Sequence, residues 1–526
     1  MTRHSKKTRT LTTTISAALL AAFASNAMAQ VSQSGEQKNM RRVGHSDLQG
    51  RPAYQPNTIT YPDGRTIAFI GTHGGSKPNP LKGGVVELNG VMIVDVTRPN
   101  QPIEKFHIPA PANGAQTQSV RMCLGSELPA GTQGRVYLMR NVQGSVASGY
   151  EVWDVTNVSN PFLLGALLGI ASAHKHYWEC KTGIAYLPGS PANQAWRQPQ
   201  SMMIADWSNP ASPVVLRTHG LPGAQPTGTG PIPPSLHGAI SGREHPNPTG
   251  RLARPAGPTD VIGNRVYTAW GVGDDGVIQV LDRSKLLPPP YGTFMGDRNN
   301  PTNADLTSAQ TSILYMSPDQ GGHTSMPVFG MTPKSYDDFT EFKVRDIVVL
   351  TSEATADLCK EAPHWAFLAD FTVENSLTTP PGTRVEQNPW QGPMVLSTLS
   401  VDPHAGEKYP RGDYCKRGAR FGAHSSEENF RNPYYGRLTF VAYFTGGVRI
   451  WDIREPQAPE EVGFYVPVAN QNTTATGYMT NNVEVDNRGF VYVVDRNGSG
   501  LDILRVTGRA KRVAFPNDPN RDEDDD

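Results

Sequence analysis

Gly90-Val91-Met92-Ile93-Val94-Asp95-Val96-Thr97, followed by Pro99 and Pro102, decides the fold because the chain repeats it. Gly149-Tyr150-Glu151-Val152-Trp153-Asp154-Val155-Thr156 leads to Pro161, and Ser201-Met202-Met203-Ile204-Ala205-Asp206-Trp207-Ser208 leads to Pro210 and Pro213. Looser copies end at Asp282 and Asp370, and a clear one ends at Asp452. Leu501-Asp502-Ile503-Leu504-Arg505-Val506 closes the series with Arg505 at the Asp position. The marks are 59, 52, 76, 88, 82 and 53 residues apart, which is one short unit with variable insertions, seven times over. A Val/Tyr-rich run precedes each marked strand (135–139, 265–270 and 438–443 are examples), another follows it (161–165, 461–465), and a more polar run lies ahead of all three. Four strands per unit predict an all-β fold, a seven-bladed β-propeller with long loop insertions. The marked Asp has a structural role: at a strand end before a Thr/Ser-x-x-Pro turn, its carboxylate accepts turn N–H groups.

Composition agrees with this reading. The 526 residues include 52 Gly and 45 Pro, scattered as turn punctuation, and helical periodicity is scarce. Arg3, Lys6, Lys7 and Arg9 precede an apolar run near residues 15–23, and Ala27-Met28-Ala29 supplies a small-x-small cleavage site, so residues 1–29 read as a secretory signal peptide. Residues 30–41 read as a linker, 42–515 as the propeller and 516–526 as a disordered acidic tail. The whole chain has a formal charge of +0; without residues 1–29 and the acidic tail the body is near neutral, which gives no field for nucleic acid. No later segment is long and apolar enough to span a bilayer, so the mature chain is expected in the periplasm or outside the cell. In that compartment four cysteines read as disulfides and allow three pairings; position favours Cys123 with Cys180, which end similar runs in consecutive repeats, leaving Cys359 with Cys415.

The marked strand, Val91-Met92-Ile93-Val94-Asp95 at its clearest, resembles the LVIVD-repeat family of exported bacterial β-propellers over residues 42–507. The resemblance implies the fold and leaves activity open.

Histidines carry the functional reading. The innermost strand of each blade lines the channel, and six of the 13 histidines fall where such strands begin: His45, His174, His176, His237, His323 and His424. Gln118 and Asn481 or Asn482 take that place in two other repeats. Imidazoles converging from several strands suit a transition metal, Cu, Fe or Zn. His174, His176, His237, His323 and His424 are therefore the expected ligands, and His45 is a catalytic candidate, as an extra ligand or proton-transfer group. Glu179 and Glu427, with Glu244 and Glu353, are expected to orient the rings. The competing reading is a wet channel whose histidines only cap strand ends. Selenium-binding proteins, including methanethiol oxidase, and the carotenoid cleavage oxygenases are similar in architecture alone; their surrounding motifs are absent.

His73 and His364 lie off the first strands, and His107, His219, His245 and His404 read as surface or turn residues. Residues 271–276 read as a hairpin turn and not a calcium loop, since the terminal Glu is missing. No Gly-x-Ser-x-Gly elbow or phosphate loop occurs, and Gly271-Val272-Gly273-Asp274-Asp275-Gly276, lying between two strands, is not read as a dinucleotide fingerprint. Insertions at 221–259, 284–310 and 371–418 are expected to crown one face of the disc. The expectation is a metal-dependent oxidoreductase acting on a small molecule. The alternative is a non-catalytic propeller whose loop faces bind a protein, an envelope polymer or a small ligand.

Overall fold

The computed structural model describes residues 36–144, 148–244, 264–337, 344–374, 392–474 and 477–517. The expected signal peptide, His245 and the acidic end beyond 517 lie outside them. The described chain is an all-β propeller of seven four-stranded antiparallel arrays: five separate sheets, and two more joined in a nine-stranded sheet through the single pair Phe444 and Thr480. In the first six arrays the chain runs outward, as in Ala53–Thr60, Thr66–Thr72, Gly90–Asp95 and Ile103–Pro109 of the first. The innermost strands are Ala53–Thr60, Val120–Leu124, Tyr177–Glu179, Leu236–Ser241, Thr324–Met331, Phe421–Ser426 and Thr480–Val485. Each touches the next, and the last touches the first, so they form a closed ring.

The repeated Asp ends the third strand of six arrays and does what its position demands. Its Oδ1 accepts the N–H two residues on: Thr97 on Asp95 (3.0 Å), Thr156 on Asp154 (2.9 Å), Ser208 on Asp206 (2.7 Å), Ser284 on Asp282 (2.8 Å), Thr372 on Asp370 (2.8 Å) and Arg454 on Asp452 (3.1 Å). Residues 271–276 form the expected hairpin turn between Arg265–Trp270 and Val277–Asp282. The disulfide-distance pairs are Cys123 with Cys180, Cα atoms 5.5 Å apart, which ties the second innermost strand to the third, and Cys359 with Cys415 at 5.3 Å.

Three expectations change. The seventh array takes its outermost strand from the N-terminal side, Met40–Ser46 pairing with Leu501–Val506, and Gln37–Lys38 pairs with the edge of the sixth. Residues 36–41, read as linker, thus belong to the propeller. His45 sits on that outermost strand rather than at the start of an innermost one. The insertions also do not share one face. Residues 221–235 and 400–420 lead into innermost strands, whereas 284–309 joins a third strand to a fourth and reaches back only through contacts such as Gln225 Nε2 to Asn303 Oδ1 (2.7 Å). Among the described residues no helix is long and apolar enough to cross a membrane.

Asp154 is buried and also accepts Arg135 Nη1 at 2.7 Å. Asp154→Ala is expected to cost about 1–3 kcal/mol by orphaning both donors. The half-buried Asp95, whose carboxylate is 4.0 Å from Lys105 Nζ, should cost less on the same change. Thermal unfolding of the two variants beside the parent checks the order.

A histidine cage at one end of the ring

Four of the five predicted ligands converge. His174, His237, His323 and His424 come from the third to sixth arrays, at or just before their innermost strands. Successive ring centroids are 4.4, 3.9 and 4.3 Å apart. All four are buried. Antiparallel hairpins put the start of a first strand beside the end of the second, so second-strand ends reach the same place. They supply His73, after Thr66–Thr72, and Glu353, after Arg345–Thr351. Gly71 permits the approach of the first two arrays there, since a Cβ would stand 2.0 Å from Gln118 O. The cage is completed by Tyr54, the second residue of the first array's innermost strand, whose ring lies 5.3, 5.9 and 5.7 Å from those of His73, His174 and His424.

The donor set fits a metal ion. Glu353 Oε2 is 3.4 Å from His323 Nε2, and Oε1 is 3.7 Å from His424 Nε2. Ligands about 2.1 Å from a tetrahedral metal stand about 3.4 Å apart. His237, His323 and Glu353 each offer a ligand atom within 4.8 Å of the others. His424 Nδ1 lies 2.6 Å from Asn481 O, which makes it the protonated nitrogen and leaves Nε2 with its lone pair free. Nδ1 of His174, both ring nitrogens of His237 and His323, Nε2 of His424 and His73, and the Tyr54 hydroxyl have no hydrogen-bond partner among the described residues. An unsatisfied buried polar atom costs roughly 1–3 kcal/mol, so this many in one place call for a bound group. Burial holds His237, His323 and His424 well below the usual imidazole range and takes His174 down to about 4, keeping the rings neutral. Burial raises Glu353 against the opposing guanidiniums of Arg496 and Arg420.

The other predicted residues lie elsewhere. His176 is buried, but its ring contact is Tyr150, at 5.4 Å. His45 Nδ1 is 2.7 Å from Asp502 Oδ1. Glu179 is engaged by Arg283 Nε (3.1 Å), Ser241 Oγ (2.9 Å) and Thr182 Oγ1 (2.5 Å), and Glu427 Oε2 accepts Asn429 N (3.0 Å); neither has a histidine partner among the described residues. Glu353 does what they were expected to do. His107 and His219, read as surface residues, are fully buried, His107 against Glu87 Oε2 at 2.8 Å and His219 against Gln279 Oε1 at 3.4 Å. Tyr54 escaped sequence reasoning because no Tyr recurs at that register. His73 was set aside because only first strands were searched, although it stands one residue past a second strand, and Glu353, expected to orient the rings, stands two residues past one.

Beyond the cage the ring is closed by charge. Lys175, buried, donates to Glu428, which also takes Arg121. Past them a cavity of about 310 Å³ is lined by Arg121, Glu428, Glu484 and Glu244.

Burial pushes Glu427 up to about 8, so the folded protein holds it protonated at neutral pH, while the unfolded chain releases that proton near 4.5. The stability loss it causes grows as pH rises from about 4.5 to about 8. Glu427→Gln should therefore match the parent near pH 5 and exceed it in unfolding midpoint at pH 8. Equal midpoints at both pH values contradict this.

No protein-family model matches the chain, and no curated protein does. Among solved structures, the chain is similar to a putative 6-phosphogluconolactonase from Bacteroides fragilis, at 9% identity and a TM-score of 0.44 over 80% of this chain and 88% of that one. It is similar to a protein from Lactobacillus plantarum at 10% identity and a TM-score of 0.44, over 80% and 89%.

Proposed function

We propose that this LVIVD-like propeller is an exported metal-dependent enzyme, an oxidoreductase acting on a small molecule, with one Cu, Fe or Zn ion in the cage. One observation carries the reading: four buried histidines from four consecutive arrays in unbroken ring contact, with the Glu353 carboxylate at ligand distance. His174, His237, His323 and His424 would hold the ion, with Glu353 as a fifth donor. A bound ion of this kind supplies a redox centre or a Lewis acid. The chain's own residues do the rest. Asn481 O fixes the His424 tautomer, Tyr54 offers a buried hydroxyl beside three rings, and the Lys175 and Glu428 pair excludes bulk water from one end. Two disulfide-distance cysteine pairs support an oxidising compartment.

Elemental analysis of the purified mature protein should find about one equivalent of metal per chain. His237→Ala and His424→Ala should each lose it with the fold retained by circular dichroism. Glu353→Gln should weaken uptake by roughly 10–100-fold. His45→Ala and His176→Ala should leave metal content unchanged. No stoichiometric Cu, Fe or Zn after reconstitution, or uptake surviving both His237→Ala and His424→Ala, defeats the reading and favours a non-catalytic binding propeller.

A further inference from the structure

Two guanidiniums face the cage and share one carboxylate. Arg420, just before the sixth innermost strand, donates through Nη1 to Glu353 Oε1 at 2.9 Å and to Ala354 O at 3.3 Å. Arg496, one residue past the second strand of the seventh array, brings Nη1 to the same Oε1 only at 3.9 Å, beyond a hydrogen bond. Its side chain has no hydrogen-bond acceptor among the described residues. Both side chains are about three-quarters covered, 22% and 24% exposed, and each lowers the cost of placing a negative charge between them. Burial and the like charge of Arg420 pull Arg496 below its ordinary range, and Asp357, the next carboxylate, is solvent-exposed. Beside this pair lie the unpartnered Tyr54 hydroxyl and His73 Nε2, both in buried surroundings.

Charge decides what belongs there. Two guanidiniums against Glu353 leave an excess of one positive charge in a poorly solvated site, and a divalent ion among neutral imidazoles would add two more. Such a site is completed by an anion. A carboxylate suits the guanidinium fork, and Glu353 already shows Arg420 taking a carboxylate oxygen. A single negative charge balances the pair before any metal is added. A cavity of about 280 Å³ opens at the same end, lined by Ser235, Asp274, Asp275 and Thr355. We infer that Arg420 and Arg496 form the substrate-binding pair of this centre, and that its substrate class is a small organic carboxylate held by its carboxylate with the remainder directed at Tyr54 and the cage. This deepens the enzymatic reading and rests on it for the word substrate, while the binding itself stands without the metal.

Calorimetric titration of the purified mature protein with propionate, propionamide and inorganic phosphate tests it, with metal content measured on the same samples. Propionate should bind and its uncharged isostere propionamide should not. Arg420→Gln and Arg496→Gln should each weaken propionate by about tenfold or more, the loss of a charge-assisted contact. Glu353→Gln should tighten it by removing the internal competitor, a gain that no misfolded variant would show. Absent propionate binding, equal binding of propionamide, preference for phosphate, or an unchanged Arg496→Gln each overturns the inference. Propionate binding in a protein free of metal upholds the anion site while the metal reading falls. Full metal occupancy without propionate binding does the reverse.

Discussion

Met40–Ser46 pairs antiparallel with Leu501–Val506, joining residues such as His45 and Asp502 that are 457 positions apart. That pairing supplies the seventh array with its outermost strand, and the site depends on the ring it closes. Without it the seventh array has an open edge. Apolar burial reinforces the seam: Tyr492, Val494, Leu501 and Ile503 of the seventh array pack in one core with Ala68, Ile70, Met92 and Val94 of the first. At about 25 cal/mol per Å² such a seam contributes far more than the ladder's net hydrogen bonding. Buried Glu36, bonded by Arg411 Nε and Arg417 Nη1 at 2.8 Å each, anchors the N-terminal side of the closing strand.

Closure turns sequence-distant positions into neighbours. Tyr54 and Asn481 lie in the first and seventh arrays, yet Asn481 Nδ2 donates to Tyr54 O at 3.1 Å, and Asn481 O fixes His424 in the sixth. The placement of Tyr54 passes through a contact that exists only in the closed ring, while the His424 tautomer is set between consecutive arrays. The electrostatics follow from the same enclosure. Burial keeps the rings neutral, which is the state in which imidazole donates a lone pair, and it concentrates net charge at the cage's polar rim, where Arg420 and Arg496 meet Glu353.

The architecture was largely legible in the sequence, because the marked Asp binds its own turn, an interaction local enough to leave a periodic signature. The convergence of His174, His237, His323 and His424 was legible for a related reason: each follows a repeat boundary, and the propeller turns boundaries into a ring. His45 looked equivalent and was not. The sequence shows where a repeat begins but not that the first complete array starts after it, since the closing strand borrows the N-terminal end of the chain. Tyr54, not His45, therefore occupies the cage from the first array, in a strand whose internal Pro56 obscured its pattern. Disulfide pairing followed the same rule of neighbouring repeats, Cys123 sitting on one innermost strand and Cys180 directly after the next.

The residues that do not recur share one geometry. His73, Glu353 and Arg496 stand one or two residues past second strands, and Arg420 just before a first strand, positions that an antiparallel hairpin brings to the same end of the ring. Their residue types differ from array to array, so no repeat announces them, and a search for recurrence finds only the neutral histidines. The two rims are consequently unlike. One carries unpaired guanidinium and imidazole nitrogens around a single carboxylate. The other is sealed by Lys175 and Arg121, both hydrogen-bonded to Glu428. A repeat protein acquires direction in this way: the recurring residues build a symmetric ring, and the residues that do not recur decide which end of it is chemically open.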